Sequence, residues 1–174
     1  MSETEFSRVI DRRSITEAPV KLTATQEECA ALAKRFAIVS IARLEASVML
    51  LEEGDAVHAK GTLSADILQS CAISGDDLPA RINEEFALRF VPEAEWADLD
   101  AEEVELDEDD LDALAYDGST FDLGEAVAQS LALAIDPYAT GPDADRTRDA
   151  AGISGDDAPS GPLADALASL RKDS

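Results

Sequence analysis

"IVSIARLEASVMLLEEGDAVHAKGTLSADILQSC", residues 38–71, decides the fold, because its apolar side chains recur at every second position. Leu44, Ala46, Val48 and Leu50 share one strand face, with Arg43, Glu45 and Ser47 on the other. "EEGD" (52–55) supplies a hairpin turn, since Gly-Asp between two such runs tolerates the tight backbone. On the return strand Val57, Ala59, Gly61, Leu63, Ala65, Ile67 and Cys71 share one parity, and His58, Lys60, Thr62, Ser64 and Asp66 the other. After an "SGDD" turn, Ile82, Phe86, Leu88 and Phe90 continue in phase as a third strand. The product is an antiparallel meander with one wet face.

Upstream, "EFSRVID" (5–11) reads as a short strand with Phe6 and Val9 as its bulky members. "LTATQEECAALAKRF" (22–36) reads as a helix. Thr25 and Glu28 have the spacing of a capping box, and Cys29, Leu32, Ala33 and Phe36 form one apolar stripe. Downstream, residues 92–112 carry twelve acids and no base, too charged to bury, and the excursion they open is expected to run from 92 to 118. Within it Val104 and Leu106 suit a short edge strand, and Leu111 and Leu114 suit anchors. A second helix follows over 122–135, with Asp122 and Glu125 at capping spacing and Leu123, Val127, Leu131, Ala134 and Ile135 as its stripe. Asp136-Pro137 stops it.

Residues 1–140 thus read as a single α+β domain: a twisted antiparallel β-sheet, open or rolled into a partial barrel, packed by two helices, with an acidic loop. Residues 141–160 are rich in Gly, Pro, Asp and Ala and read as a linker. Residues 161–172 place Leu163, Leu167 and Leu170 at helical spacing ahead of Arg171 and Lys172, which suits a short amphipathic helix on a flexible tail.

Charge excludes more than it selects. The 174 residues carry a net charge of −24, and residues 92–174 hold 23 of the 38 acids but 4 of the 14 basic residues. Nucleic-acid binding gains its affinity from clustered Lys and Arg that release counterions, so extensive phosphate contact is not expected. A basic protein partner is the better match. Arg12, Arg13, Lys34, Arg35 and Arg43 read as scattered solvated charges more than as a patch. The apolar runs are too short for a membrane span, and two cysteines are too few for a disulfide framework, so a cytoplasmic, reducing setting is expected.

No catalytic constellation emerges. The one His, His58, falls on the polar face, and no nucleophile motif is present. Zinc needs about four thiolate or imidazole ligands, whereas the chain offers Cys29, Cys71 and His58, with His58 opposite Cys71 by strand parity. Asp76 and Asp77 would disfavour a Cys71 thiolate. Cys71 therefore reads as a packed small side chain, and the expectation is no cofactor, no metal and no enzyme.

Three blocks in order, "ILQSCAISGDDLPARINEEFALRF", "YDGSTFDLGEAVAQSLALAIDPY" and "GPLADALASLRK", together resemble the YceD family, the large ribosomal RNA subunit accumulation proteins, in its alphaproteobacterial form. The family-motif positions are Cys71, Gly118, Asp122, Leu123 and Pro137. The resemblance implies a ribosome-biogenesis factor that supports accumulation of large-subunit (23S) ribosomal RNA, without catalysis. Many relatives carry a second cysteine three residues after the first and another after the helix-ending Pro. Here those places hold Ser74 and the cysteine-free "PYATGPDAD". Partners are then expected among ribosome-assembly or rRNA-processing proteins. The candidate contacts are Glu102, Glu103, Glu105, Asp107, Glu108, Asp109 and Asp110 in the acidic run, and Leu163, Leu167 and Leu170, which would dock on the sheet or enter a partner groove. The alternative is an acidic nucleic-acid mimic that blocks a basic protein groove.

Overall fold

The computed structural model describes residues 4–94 and 113–152. Within these the chain runs β1 (Val9–Asp11), a 3-10 turn (Arg12–Ser14), β2 (Val20–Thr23), α1 (Gln26–Arg35), β3 (Ser40–Glu53), β4 (Ala56–Ser70) and β5 (Asp77–Pro92). It resumes with β6 (Ala113–Tyr116), β7 (Thr120–Asp122), α2 (Leu123–Ala134) and α3 (Ala144–Ala150).

The period-two stretch becomes the long antiparallel hairpin β3–β4, in register from Glu53–Ala56 back to Ser40–Leu68 with one shift between Ile41 and Arg43. β5 continues the meander along almost the whole of β4. The expected face is the buried one: Leu44, Val48, Leu50, Val57, Ala59, Leu63, Ala65 and Ile67 are all in the core. Alternation decides this, because a one-residue slip would turn every one of them to solvent. The five-stranded sheet, β2-β3-β4-β5-β6, is α+β in class and stays open, so the partial-barrel form is not the one adopted.

Helices α1 and α2 cover the inner face. In α1 the Thr25 and Glu28 side chains each bond the other's backbone N–H, completing the capping box, and Cys29, Leu32 and Ala33 are buried. α1 packs on β3, and α2 packs on β4 and β5. Leu123, Val127 and Leu131 of α2 join Leu44, Leu63 and Phe90 in one continuous core.

Four local readings change. Only residues 9–11 of the first strand pair, with β7, while Phe6 sits in the core ahead of it and Val9 faces solvent at 62% exposure. β2 takes Leu22 from the expected helix and pairs with residues 45–48 of β3. Residues 113–118, assigned by composition to the acidic excursion, belong instead to the fold. β6 pairs parallel to β5, Ala113 and Tyr116 are buried, and Leu114 packs partly buried against the core. Acids averaged over the preceding twenty residues conceal a four-residue apolar strand. Residues 144–150, inside the stretch read as linker, form a short helix with Ala144 buried. Val104, Leu106, Leu111 and the terminal helix at 161–172 lie outside the described residues.

Tyr116 fixes the new strand. Its hydroxyl donates to the Asp55 carbonyl at 2.6 Å and accepts from Arg12 at 3.0 Å, and its ring meets Phe121 edge-on. Phe121 in turn stacks on Phe90, centroids 4.3 Å apart. The hairpin tip, the N-terminal segment and β5–β7 are thereby tied together at one end of the sheet.

Candidate functional site

The family-motif positions fall into two groups at opposite ends of α2. At its N-terminus Asp122 is the cap. One carboxylate oxygen accepts the N–H of Glu125 at 3.1 Å and of Arg8 at 2.8 Å, while the other accepts the hydroxyls of Ser7 (2.6 Å) and Thr4 (3.2 Å). Burial works to raise the Asp122 pKa, but these donors outweigh it and hold the carboxyl below its usual range. Leu123 is fully buried beside it. Gly124 leaves room for the N-terminal segment: a Cβ there would stand 2.6 Å from the Phe6 carbonyl oxygen and 2.7 Å from the Arg8 nitrogen. Glu125 turns away from a reciprocal cap and forms a two-pronged pair with Arg35 at 2.7 and 2.8 Å. Gly118, at φ +67°, makes the turn between β6 and β7. Asp122, Leu123 and Gly118 are therefore explained by architecture.

The second group surrounds Cys71, where β4 ends. The thiol is buried at 3% exposure. The Cys71 N–H reaches the Asp76 carbonyl (2.7 Å), the Gly75 N–H returns to the Cys71 carbonyl (3.0 Å), and Gly75 takes φ +76°, closing a tight loop. Inside the loop the Ser74 N–H points at Sγ at 3.3 Å. A second donor comes from far along the chain: the Gly141 N–H, also at 3.3 Å. The segment after Pro137 is laid against the loop by the bond from Ala72 N–H to the Ala139 carbonyl (2.9 Å) and by the buried Gln69, whose amide donates to the Asp136 carbonyl (3.3 Å).

This reverses the expected electrostatics of Cys71. Hydrogen bonds from the Ser74 hydroxyl and from the Ser74, Gly141 and Ile73 backbone, against opposition from burial, lower its pKa to about 6. The Ser74 hydroxyl has one proton and also donates to Asp76 at 2.6 Å, so the backbone N–H groups are the donors without a rival acceptor. Asp76 is occupied by that serine. Cys29 behaves oppositely: burial, with the neighbouring Glu28 charge, pushes its thiol up.

One N–H from the loop, that of Ser74, and one from the returning segment, that of Gly141, converge on the sulfur ahead of a left-handed glycine. The loop's residues do not fit a metal: Ser74 stands where the second thiolate would, and the described residues contain no group of three or more His, Cys, Asp and Glu side chains arranged to hold an ion. His58 lies on the outer face and pairs with Glu53 at 3.0 Å.

The cations are dispersed. Arg8 pairs with Glu28, Arg12 with Glu52 and Asp55, Arg13 with Asp11, and Arg43 and Arg81 share Asp66. Each of these carboxylates holds its guanidinium in place and offsets its charge. On the outer face, Met49 and Leu51 are exposed in a hollow of about 580 Å³ that His58 and Lys60 also line. Glu102, Glu103, Glu105, Asp107, Glu108, Asp109, Asp110, Leu163, Leu167 and Leu170 lie outside the described residues. Gly141, Gln69 and Gly124 are the supporting positions of these two groups that sequence reading missed. A Gly-Pro pair at 141–142 was the one local signal, and it reads equally as a linker.

A family model described as "Large ribosomal RNA subunit accumulation protein YceD" matches residues 59–171, more than half of the chain. No curated protein and no solved structure matches the chain. No helix among the described residues is long and apolar enough to cross a membrane.

Proposed function

The chain belongs to the YceD family, the large ribosomal RNA subunit accumulation proteins, and from that premise we propose that it is a non-catalytic assembly factor acting through protein partners. The family ties it to large-subunit RNA accumulation. The arrangement of charge is the observation that carries the finer reading. A net charge of −24 with arginines committed to carboxylates offers little for phosphate to displace counterions against. Exposed Met49 and Leu51 on the outer face suit a protein surface better than a nucleic-acid backbone.

The deciding experiment is depletion in the native host followed by gradient profiling of ribosomal subunits and precursor RNA. Loss of large-subunit RNA with a small-subunit excess is expected; an unchanged profile refutes the role. Purified protein should show no salt-sensitive retention of large-subunit RNA fragments, whereas tight retention would refute action through proteins.

A further inference from the structure

β5 is hydrogen-bonded to β4 from Asp77 to Phe90, but β6 pairs with its other side only over Arg89–Pro92. Among the described residues, no strand pairs with the outer side of residues 77–88. Pro79 sets the polarity of this edge. It sits opposite Leu68 in the β4 ladder and has no N–H to give, so its nitrogen faces away from β4. Alternation then points the N–H and C=O groups of Arg81, Asn83, Glu85 and Ala87 outward. The edge carries no register shift and no lysine; what blunts it is Pro79 at one end and the charges of Arg81, Glu84 and Glu85, which a complementary partner strand would have to answer. Arg81, Asn83 and Glu85 are exposed, and Phe86 and Leu88 on the core side are only half-buried.

We propose that this edge pairs antiparallel with β5 of a second copy, with Asn83 opposite Asn83 across a two-fold axis. A two-fold perpendicular to the sheet keeps inner faces together, so outward-bonding residues must meet outward-bonding residues. In the Asn83-centred register Arg81 of each copy lies opposite Glu85 of the other, giving two opposite-charge pairs on the outer face. Inside, Ala80 meets Phe86 and Leu78 meets Leu88, and next to the axis Ile82 meets Glu84, whose carboxylate is exposed to solvent. Neighbouring registers place Arg81 opposite Asn83 or Ala87 and lose both charge pairs. Those further out oppose Arg81 to itself or Glu85 to itself. Arg81 donates to Asp66 through Nε at 2.8 Å, which leaves its terminal nitrogens for Glu85. Charge complementarity along the edge thus selects both the occupant and the register.

Light scattering on the eluting full chain, at physiological ionic strength to screen the net charge over about 8 Å, should give a dimer at micromolar concentration. Asn83→Cys should form an inter-chain disulfide under mild oxidation. Arg81→Glu and Glu85→Arg should each shift the protein to monomer with the far-ultraviolet circular dichroism of the folded chain, although Arg81→Glu also gives up the Asp66 pair and melts lower; the double exchange should restore the dimer. A monomeric wild type overturns the proposal, as does Asn83→Cys that stays reduced, or a double exchange no more dimeric than the singles. Amide protection of residues 81–87 in a monomeric sample would show the edge covered by its own chain and overturn it equally.

Discussion

The backbone nitrogen of Gly141 lies 3.3 Å from the sulfur of Cys71, a donor delivered across 70 residues of sequence. Together with the Ser74 hydroxyl, which contributes most, and the Ser74 and Ile73 N–H groups, it lowers the pKa of a buried thiol to about 6.

Ultraviolet thiolate absorbance in the folded protein should therefore rise with a midpoint near 6, while Cys29 stays protonated at that pH. Cys29→Ser isolates the signal. Ser74→Ala should move the midpoint upward but leave it below a free thiol's value of about 8.5, because the backbone donors persist. A midpoint at the free-thiol value in the Cys29→Ser protein would contradict the geometry.

The same shift fixes a sign for stability. A depressed folded pKa means that the unfolded chain binds the proton more readily. The contribution is fully present above the unfolded value and is lost as pH falls through about 6. Denaturation midpoints of the wild type should fall between pH 8 and 6 more than those of Cys71→Ala; parallel curves would argue against it.

Asp122→Ala should cost about 1–2 kcal/mol, the loss of a helix cap, because the carboxylate serves both α2 and the N-terminal segment through Ser7 and the Arg8 N–H. Its depressed pKa adds stability above the unfolded value of about 3.9 that disappears as pH drops through the lower folded one. Urea denaturation at neutral and acid pH should show the variant's deficit shrinking in acid.

Gly124→Ala should destabilise by about 1–3 kcal/mol, the range for overpacking. Both atoms that the new methyl would meet, the Phe6 oxygen and the Arg8 nitrogen, are backbone and cannot rotate away. Thermal melting reads this directly, and an unchanged midpoint would mean that the N-terminal segment shifts freely.

Tyr116→Phe keeps the ring contact with Phe121 but removes the bond to the Asp55 carbonyl, at a cost of about 1 kcal/mol. Amide exchange should quicken in β6 and in the β3–β4 turn together, since one hydroxyl links them.

Local patterns carried much of the architecture. The β3–β4–β5 meander was legible because alternation over fifteen residues has one consistent burial. The caps of α1 and α2 were legible because capping is a contact between residues three apart. β2, β6 and β7 were not, because strands of three or four residues acquire their identity from partners distant in sequence, such as β3 for Val20 and β1 for Phe121.

The sequence by itself determined the family, the sheet's buried face and the place where a second knuckle thiolate is missing, all of which depend on residue identity and spacing. Only the tertiary structure decided the character of Cys71. Its neighbours in sequence are Asp76 and Asp77, which argue for a protonated thiol. Its neighbours in space include the Gly141 N–H, brought there by the chain's return after α2, and a charge responds to what surrounds it in space.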